Sequence, residues 1–315
     1  MSLTDAQKEF VESWVSSCRY NPYRNYPGVS KEEVKRVLRD TLMSEGERIH
    51  LYWYGPEDAP RGLMRVTDLD WDSEIYGMKM GQLTHLCGEV TDGDVQSRLG
   101  ADGYSHISTR IDVSDFRLEQ KLIQEGFFQV GALLTYIWPR ELDPIEEKRC
   151  PASKDPFVVR MYEEKDRETI LEITRKMFSN YLSRYYRDPL LREGSGKRYE
   201  VWAKKYMDGE ADVILVAELE GEVKAFLGYR TDRQLLESTG FRSFGTGLGA
   251  STLERRGAYG QILYESLSHG ATVGVHFGVF DIHIDNFASQ HLFQELELKY
   301  IRAQYDFHCH IGDPR

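Results

Sequence analysis

The stretch TGLGASTLERRGAYGQILYESL, residues 246–267, constrains this chain more than any other. It reads as a short Gly-rich strand, a basic turn at Glu254-Arg255-Arg256-Gly257-Ala258-Tyr259, and an amphipathic helix that opens on glycine. Such a turn exposes backbone N–H groups at the positive end of the helix dipole. That end attracts phosphate, and two arginines add charge-assisted contacts. Gly257 and Gly260 would let backbone and ligand approach closely. Leu248 and Gly249 would form a strand end whose backbone can pair with the amides of a ligand. The pattern is neither GxGxxG nor GxxxxGKS, so dinucleotide and P-loop readings lack support. On its own chemistry the stretch is either a phosphate grip or a solvated loop with two arginines.

The bulk numbers narrow the partners. At 315 residues, with 41% hydrophobic and 29% charged residues, the chain suits a two-domain globular protein. A net charge of -11 leaves no broad cationic face and argues against nucleic acid, though an anionic small ligand needs only a local cluster. The four cysteines (Cys18, Cys87, Cys150, Cys309) lack CxxC spacing, which suits a reducing cytoplasm and free thiols. In His308-Cys309-His310 an extended strand would put the histidines on one face and the thiol on the other, so no metal is expected. No signal peptide is visible and no apolar run would span a bilayer, so the expectation is a cytoplasmic protein without a membrane partner.

PRELDPIEEKRCPASKDP, with four prolines and many charges, reads as a linker over 139–156. It separates a domain at 1–138 from one at 157–315. The first opens with two helices, the second of them beginning after Ser30 with Glu33 completing a capping box. RIHLYWYG and RGLMRVTDLDW follow as strands, and WDSEIYGMKMGQLTHL as a turn with a strand behind it. The second domain reads β-α-α-β-β-β-α-β-α-β, an α+β arrangement around one mixed sheet. RIDVSDFRLEQKLIQEGFFQVGALLTY and HIDNFASQHLFQELELKYIRAQYDF share Ile-Asp, a helix and an aromatic-rich strand, the mark of an internal repeat.

With the hairpin before it and the helix and strand after it, the turn resembles that of the GNAT superfamily of acetyl-CoA-dependent N-acetyltransferases. The superfamily's Gln/Arg-x-x-Gly-x-Gly/Ala run matches Glu254 to Tyr259, with its glycine at Gly257 and departures at Glu254 and Tyr259. Its downstream Asn-x-x-Ala-x-x-Leu-Tyr is similar to Asn286 through Phe293, and Glu297-Leu298 stands where Gly-Phe is usual. SRYYRDPLLREGSGKRYEVWAKKYMDGEADVILVAELEGEVKAFLGYR and WDSEIYGMKMGQL resemble the two-domain TDP-fucosamine N-acetyltransferase subgroup.

The resemblance implies a tandem of GNAT-like domains, the N-terminal one degenerate and the C-terminal one binding acetyl-CoA. The reaction implied is acetyl transfer to a primary amine by direct attack, with a nucleotide-linked amino sugar as the favoured acceptor. Arg255, Arg256, Gly257, Ala258, Tyr259 and Gly260 would hold the pyrophosphate. Leu248, Gly249 and Ala250 would position the thioester, with Asn286 and Phe293 also on the cofactor. Glu254 is the alternative acid-base group, but beside a pyrophosphate its charge would repel the ligand, so it is expected to point away. The tyrosine usually credited as general acid aligns with Phe293, which carries no proton, so Tyr259, Ser289 or Tyr305 would replace it, or water would serve. Asp281, His283 and Asp285 are expected on one solvated strand face, with Phe280, Ile282 and Ile284 on the core face, and His283 is the candidate base. Tyr185, Tyr186 and Arg187 would receive the sugar-nucleotide. The alternative is a catalytically silent acyl-CoA-binding or scaffold protein. No metal is implied, and homodimerisation stays open.

Overall fold

The computed structural model describes residues 3–90, 93–153, 155–252 and 257–312. The chain forms two compact units, 1–132 with 303–315, and 133–302. In chain order the elements are α1 (Asp5–Ser17), α2 (Lys31–Met43), β1 (Ile49–Tyr54), β2 (Gly62–Asp68), α3 (Asp70–Tyr76), β3 (Met80–Gly88), α4 (Asp94–Ala101), β4 (His106–Asp112), α5 (Phe116–Gln124) and β5 (Phe128–Pro139). They continue as β6 (Val158–Met161), α6 (Arg167–Phe178), α7 (Arg184–Arg187), α8 (Ser195–Lys205), β7 (Val213–Leu219), β8 (Glu222–Thr231), α9 (Arg233–Thr239), β9 (Ser243–Ser251), α10 (Ala258–Thr272), β10 (Phe277–His283), α11 (Phe287–Glu295) and β11 (Lys299–His310).

In the first unit β1, β2 and β3 pair antiparallel in turn, and β4 joins β3 in parallel after the crossover through α4. Met64, Val66, Leu83 and Ile107 pack under Val95, Leu99 and Leu122 on one side. Leu63 and Cys87 meet Val11, Val15, Leu38 and Leu42 of α1 and α2 on the other. Capping boxes at Thr4/Gln7 and Ser30/Glu33 start those two helices. The stretch read as a turn at WDSEIYG is instead α3, which ends on Gly77 in the left-handed conformation.

The second unit repeats the plan. β6, β7, β8 and β9 pair antiparallel in sequence, and β10 joins β9 in parallel after α10. Both faces of this sheet are covered, which is why VILVAEL is apolar at successive positions. Leu215 and Ala217 face Ile262, Leu263 and Leu267 of α10, while Val216 lies in the cluster with Ile170, Tyr199 and Tyr206 of α6, α8 and the turn after α8.

Corresponding elements are offset by 171 positions, from His106 to Phe277, Phe116 to Phe287 and Phe128 to Lys299. The helix caps correspond too: Asp115 accepts from the Leu118 N–H, and Asn286 accepts from the Ser289 N–H. The final strands, however, are exchanged. β4 takes β11 as its antiparallel neighbour, from His106 with His310 to Asp112 with Gln304. β10 takes β5, from Phe277 with Pro139 to His283 with Leu133. Each unit is completed by a strand from the opposite half of the sequence.

The stretch expected as a linker over 139–156 lies in the second unit. Ile145 is buried in a 3₁₀ turn, Trp138 Nε1 donates to the Asp143 carbonyl at 2.6 Å, and Lys148 pairs with Asp143 at 2.8 Å.

Candidate functional site

The chemistry-bearing residues of the second unit gather where two parallel strands part. Ser243, Phe244 and Gly245 of β9 pair with Phe277, Gly278 and Val279 of β10. Past Gly245, β9 pairs with β8 alone among the described residues, and past Val279, β10 pairs with β5 alone. The register with β8 steps from Gly245 opposite Arg230 to Leu248 opposite Gly228, so two residues of β9 face Tyr229. This bulge twists β9 away from β10. Gly247 is demanded here, because a Cβ would stand 2.4 Å from the Gly228 carbonyl oxygen. The result is a V-shaped cleft with one edge of β9 free of strand partners.

Tyr229, Phe244, Tyr259, Phe280, Asp281 and Phe293 line this cleft. Leu248 and Ala250 do not: they are buried in the cluster with Tyr199 and Tyr206, so what they can offer a ligand is backbone. Gly249 is turned toward Tyr259, whose Cε2 would lie 3.0 Å from an added Cβ. Burial pushes the Tyr259 phenol up to about 12, which keeps its proton in place at neutral pH. Phe293 is 2% exposed and packs edge-on to Tyr136 at 5.3 Å and against Phe280 at 5.5 Å. Tyr229 is already bound, its hydroxyl 2.8 Å from His269 Nδ1.

At the start of α10, Gly257 holds the cap position with φ 104° and no side-chain cap. Among the described residues no side chain caps this 15-residue helix, and the first N–H groups of a helix lack intrahelical acceptors. The close approach expected for a ligand at Gly257 and Gly260 is made by the chain itself. A Cβ on Gly257 would meet Ser153, and one on Gly260 would lie 3.0 Å from Pro151 and 3.1 Å from Leu292. Ala258 is fully buried and serves packing. Glu254, Arg255 and Arg256 lie outside the described residues.

The far end of β10 corrects several expectations. His283 is 9% exposed, not part of a solvated face, and its ring stands edge-on to Tyr181 at 5.6 Å. Ile284, expected in the core, is 50% exposed, because β10 ends at His283 and the chain turns there. Asp281 accepts from Thr135 Oγ1 at 2.6 Å. Asp285 takes an ion pair from Arg187. Asn286 caps α11 by accepting from the Ser289 N–H at 3.1 Å, so its carbonyl oxygen is engaged; Ser289 sits in that first turn, outside the cleft lining. Tyr305 is in β11 opposite Ile111, in the other unit.

The loop after α6 supplies a residue the sequence reading passed over. Tyr181 meets His283, Phe178 and Tyr199 ring to ring. Burial raises its pKa above the usual phenol range. Three aromatic residues within a few positions of the loop, each equally able to face a ligand, hid it. Tyr185, expected to stack on a sugar, is 2% exposed under the Arg198 guanidinium at 4.3 Å, with Arg184 Nη2 donating to its hydroxyl at 3.1 Å. Tyr186 is half-buried beneath Arg192 at 5.4 Å. Arg187 alone of that trio is exposed, and its ion pair ties α7 to the open end of β10.

No protein-family model matches the chain. A curated relative, the spore coat polysaccharide biosynthesis protein SpsD of Bacillus subtilis, is 26% identical over 176 residues, 53% of this chain and 57% of that protein. The matched stretch thus spans little more than half of that relative. Among solved structures, a GCN5-related N-acetyltransferase from Sphaerobacter thermophilus superposes with a TM-score of 0.59 at 13% identity, covering 98% of this chain and 93% of that one. A tandem GNAT protein from the clavulanic acid biosynthesis pathway gives 0.55 at 10% identity, covering 100% and 98%. A glucosamine N-acetyltransferase region of a fungal multi-domain β-N-acetylglucosaminidase gives 0.61 at 12% identity, covering 96% of this chain and 36% of that one. With the two offset sets of elements, these superpositions show that the chain has the GNAT fold, in tandem.

Proposed function

We propose that this protein is an acetyl-CoA-dependent N-acetyltransferase whose acceptor is an amino sugar, favoured in its nucleotide-linked form. The observation that carries the reading is the parting of β9 from β10 beside a helix start that no side chain of the described residues caps. The free edge of β9 at Leu248, Gly249 and Ala250 can pair with an extended amide-bearing arm. The N-terminal end of α10, with its positive dipole, suits its pyrophosphate, with Arg255 and Arg256 as further donors. The co-substrate supplies an activated thioester. This chain's residues orient it, exclude water through Tyr259, Phe280 and Phe293, and manage protons. Tyr259 holds a phenolic proton beside Gly249 and is the proposed acid; His283, held against Tyr181, is the proposed base. Arg187 at the open end of β10 is the residue proposed for an anionic acceptor, while Tyr185 and Tyr186 shape the loop behind it. The second unit does this work, and the first is the degenerate partner. SpsD acts in polysaccharide biosynthesis and the fungal region acts on glucosamine, which supports a sugar amine as acceptor.

The buried, hydroxyl-free Phe293 favours a second reading, a protein that binds acyl-CoA without transferring it. Calorimetry with acetyl-CoA, then measurement of free thiol with nucleotide-linked amino sugars and simple amines, separates the two. Thiol release with an amino sugar supports transfer. Tight binding with no thiol from any amine supports the silent reading, and absence of binding removes both.

A further inference from the structure

The first unit holds a buried cation that has no ionic partner among the described residues. Arg65, on β2, is 6% exposed. Its Nη2 donates to Ser44 Oγ at 2.9 Å, and its Nη1 to Thr84 Oγ1 at 3.0 Å and Thr67 Oγ1 at 3.4 Å. Its Nε has no partner among the described residues. No carboxylate there acts on it; only burial shifts its pKa, downward. A guanidinium does not shed its proton in a protein, so the charge stays, and buried charges ordinarily have an ionic partner.

Two of the three hydroxyls are committed. Ser44 Oγ gives its proton to the Thr41 carbonyl at 2.8 Å, and Thr84 Oγ1 to the Arg65 carbonyl at 3.1 Å. They hold the guanidinium in place, leaving Nε–H and the Thr67 hydroxyl unspent. His85, opposite Arg65 on β3, is pushed down to about 3 by burial and by the Arg65 charge, so it adds no second cation. Ser44, Thr67 and Thr84, the hydroxyl residues around the guanidinium, are each half-buried. The corresponding position in the second unit, beside the bulge opposite Leu248, is Gly228, so the charge is peculiar to the first unit.

We propose that Arg65, with the Thr67 hydroxyl and the positioning hydroxyls of Ser44 and Thr84, binds an oxyanion, the carboxylate or phosphate group of a small ligand, in the first unit. The test uses the full chain, with inorganic phosphate and acetate titrated at constant ionic strength against chloride, read by calorimetry and thermal unfolding. Saturable binding of one or both is expected, and which anion binds identifies the group. Arg65→Met should weaken it at least tenfold while leaving the chain without anion no less stable, since the unpaired charge is gone. Thr67→Val should weaken it several-fold with the guanidinium intact. No saturable binding of either anion, or unchanged affinity in Arg65→Met, overturns the proposal. Were Arg65→Met not to fold, unchanged affinity in Thr67→Val would overturn it alone. A purely structural Arg65 gives the opposite pattern: an Arg65→Met protein destabilised equally with and without anion.

Discussion

Ser153 Oγ lies 2.7 Å from the place a Cβ on Gly257 would occupy, and Gly257 has φ 104°. The helix proposed to meet the pyrophosphate is thus seated by its own chain on one side, and glycine is required there for two separate reasons.

Gly257→Ala should therefore cost more than strain alone. A left-handed non-glycine residue costs about 1–3 kcal/mol, and the contact with Ser153 adds to it. Gly77 provides the control, since it is also left-handed but has nothing within 4 Å of an added Cβ. Denaturant unfolding of both variants should show Gly257→Ala the less stable. Equal losses would mean that Ser153 moves aside freely.

Tyr259→Phe tests the proposed acid. Thiol release should fall about 10²-fold or more, with acetyl-CoA binding nearly unchanged. The phenol's pKa of about 12 lies above the usual tyrosine value near 10, so the neutral form is favoured on folding. The stability this contributes is complete below about pH 10 and is lost as pH rises through about 12. Activity should then show no tyrosine ionisation across pH 6 to 10 (the range is about where phenols stay protonated). A basic limb below pH 9 that disappears in Tyr259→Phe would contradict this assignment.

Arg187 and Asp285 form a half-exposed ion pair, which is worth about 0–1 kcal/mol to stability. Arg187→Ala should accordingly leave the unfolding midpoint almost unmoved. If Arg187 meets an anionic acceptor, KM for a nucleotide-linked amino sugar should rise at least tenfold, and KM for a simple neutral-bodied amine should not. Equal effects on both acceptors would remove Arg187 from the acceptor site.

Arg160 grips Asp166 through two bonds of 2.7 and 2.9 Å and also bonds Glu218. The Asp166 carboxylate is nearly buried, and the Arg160 bonds hold its pKa below the usual value. A depressed carboxylate contributes stability above its unfolded pKa of about 4 and loses it as pH falls through the folded value. Asp166→Asn should cost about 3 kcal/mol at neutral pH and flatten the acid limb of the stability curve below about pH 4. An acid limb identical to that of the parent chain would show that other groups govern it.

Local physics made much of this protein legible in its sequence. The Ser30/Glu33 capping box, the strand and helix on either side of the turn at Gly257 and the Ile-Asp repeat rest on contacts a few residues apart, so periodicity and cap chemistry identify them. α4 and α9 are too short, at 8 and 7 residues, to repeat a helical pattern often enough to be seen. Decisions that depend on distant partners were invisible. That β11 completes the sheet of β4 while β5 completes that of β10 is a choice between two aromatic-rich strands of equal length and similar pattern. Tyr185 and Tyr181 look alike along the chain, yet Arg184 and Arg198 cover one while the end of β10 claims the other. His283 reads as solvent-facing by alternation, but Tyr181 packs over it from a loop about a hundred residues away. By itself the sequence determined the longer elements and their order, because these follow from neighbours along the chain. The tertiary structure alone decided which strands exchange, which aromatics are spent on packing and which edge of β9 stays open, because each depends on contacts between residues far apart in sequence.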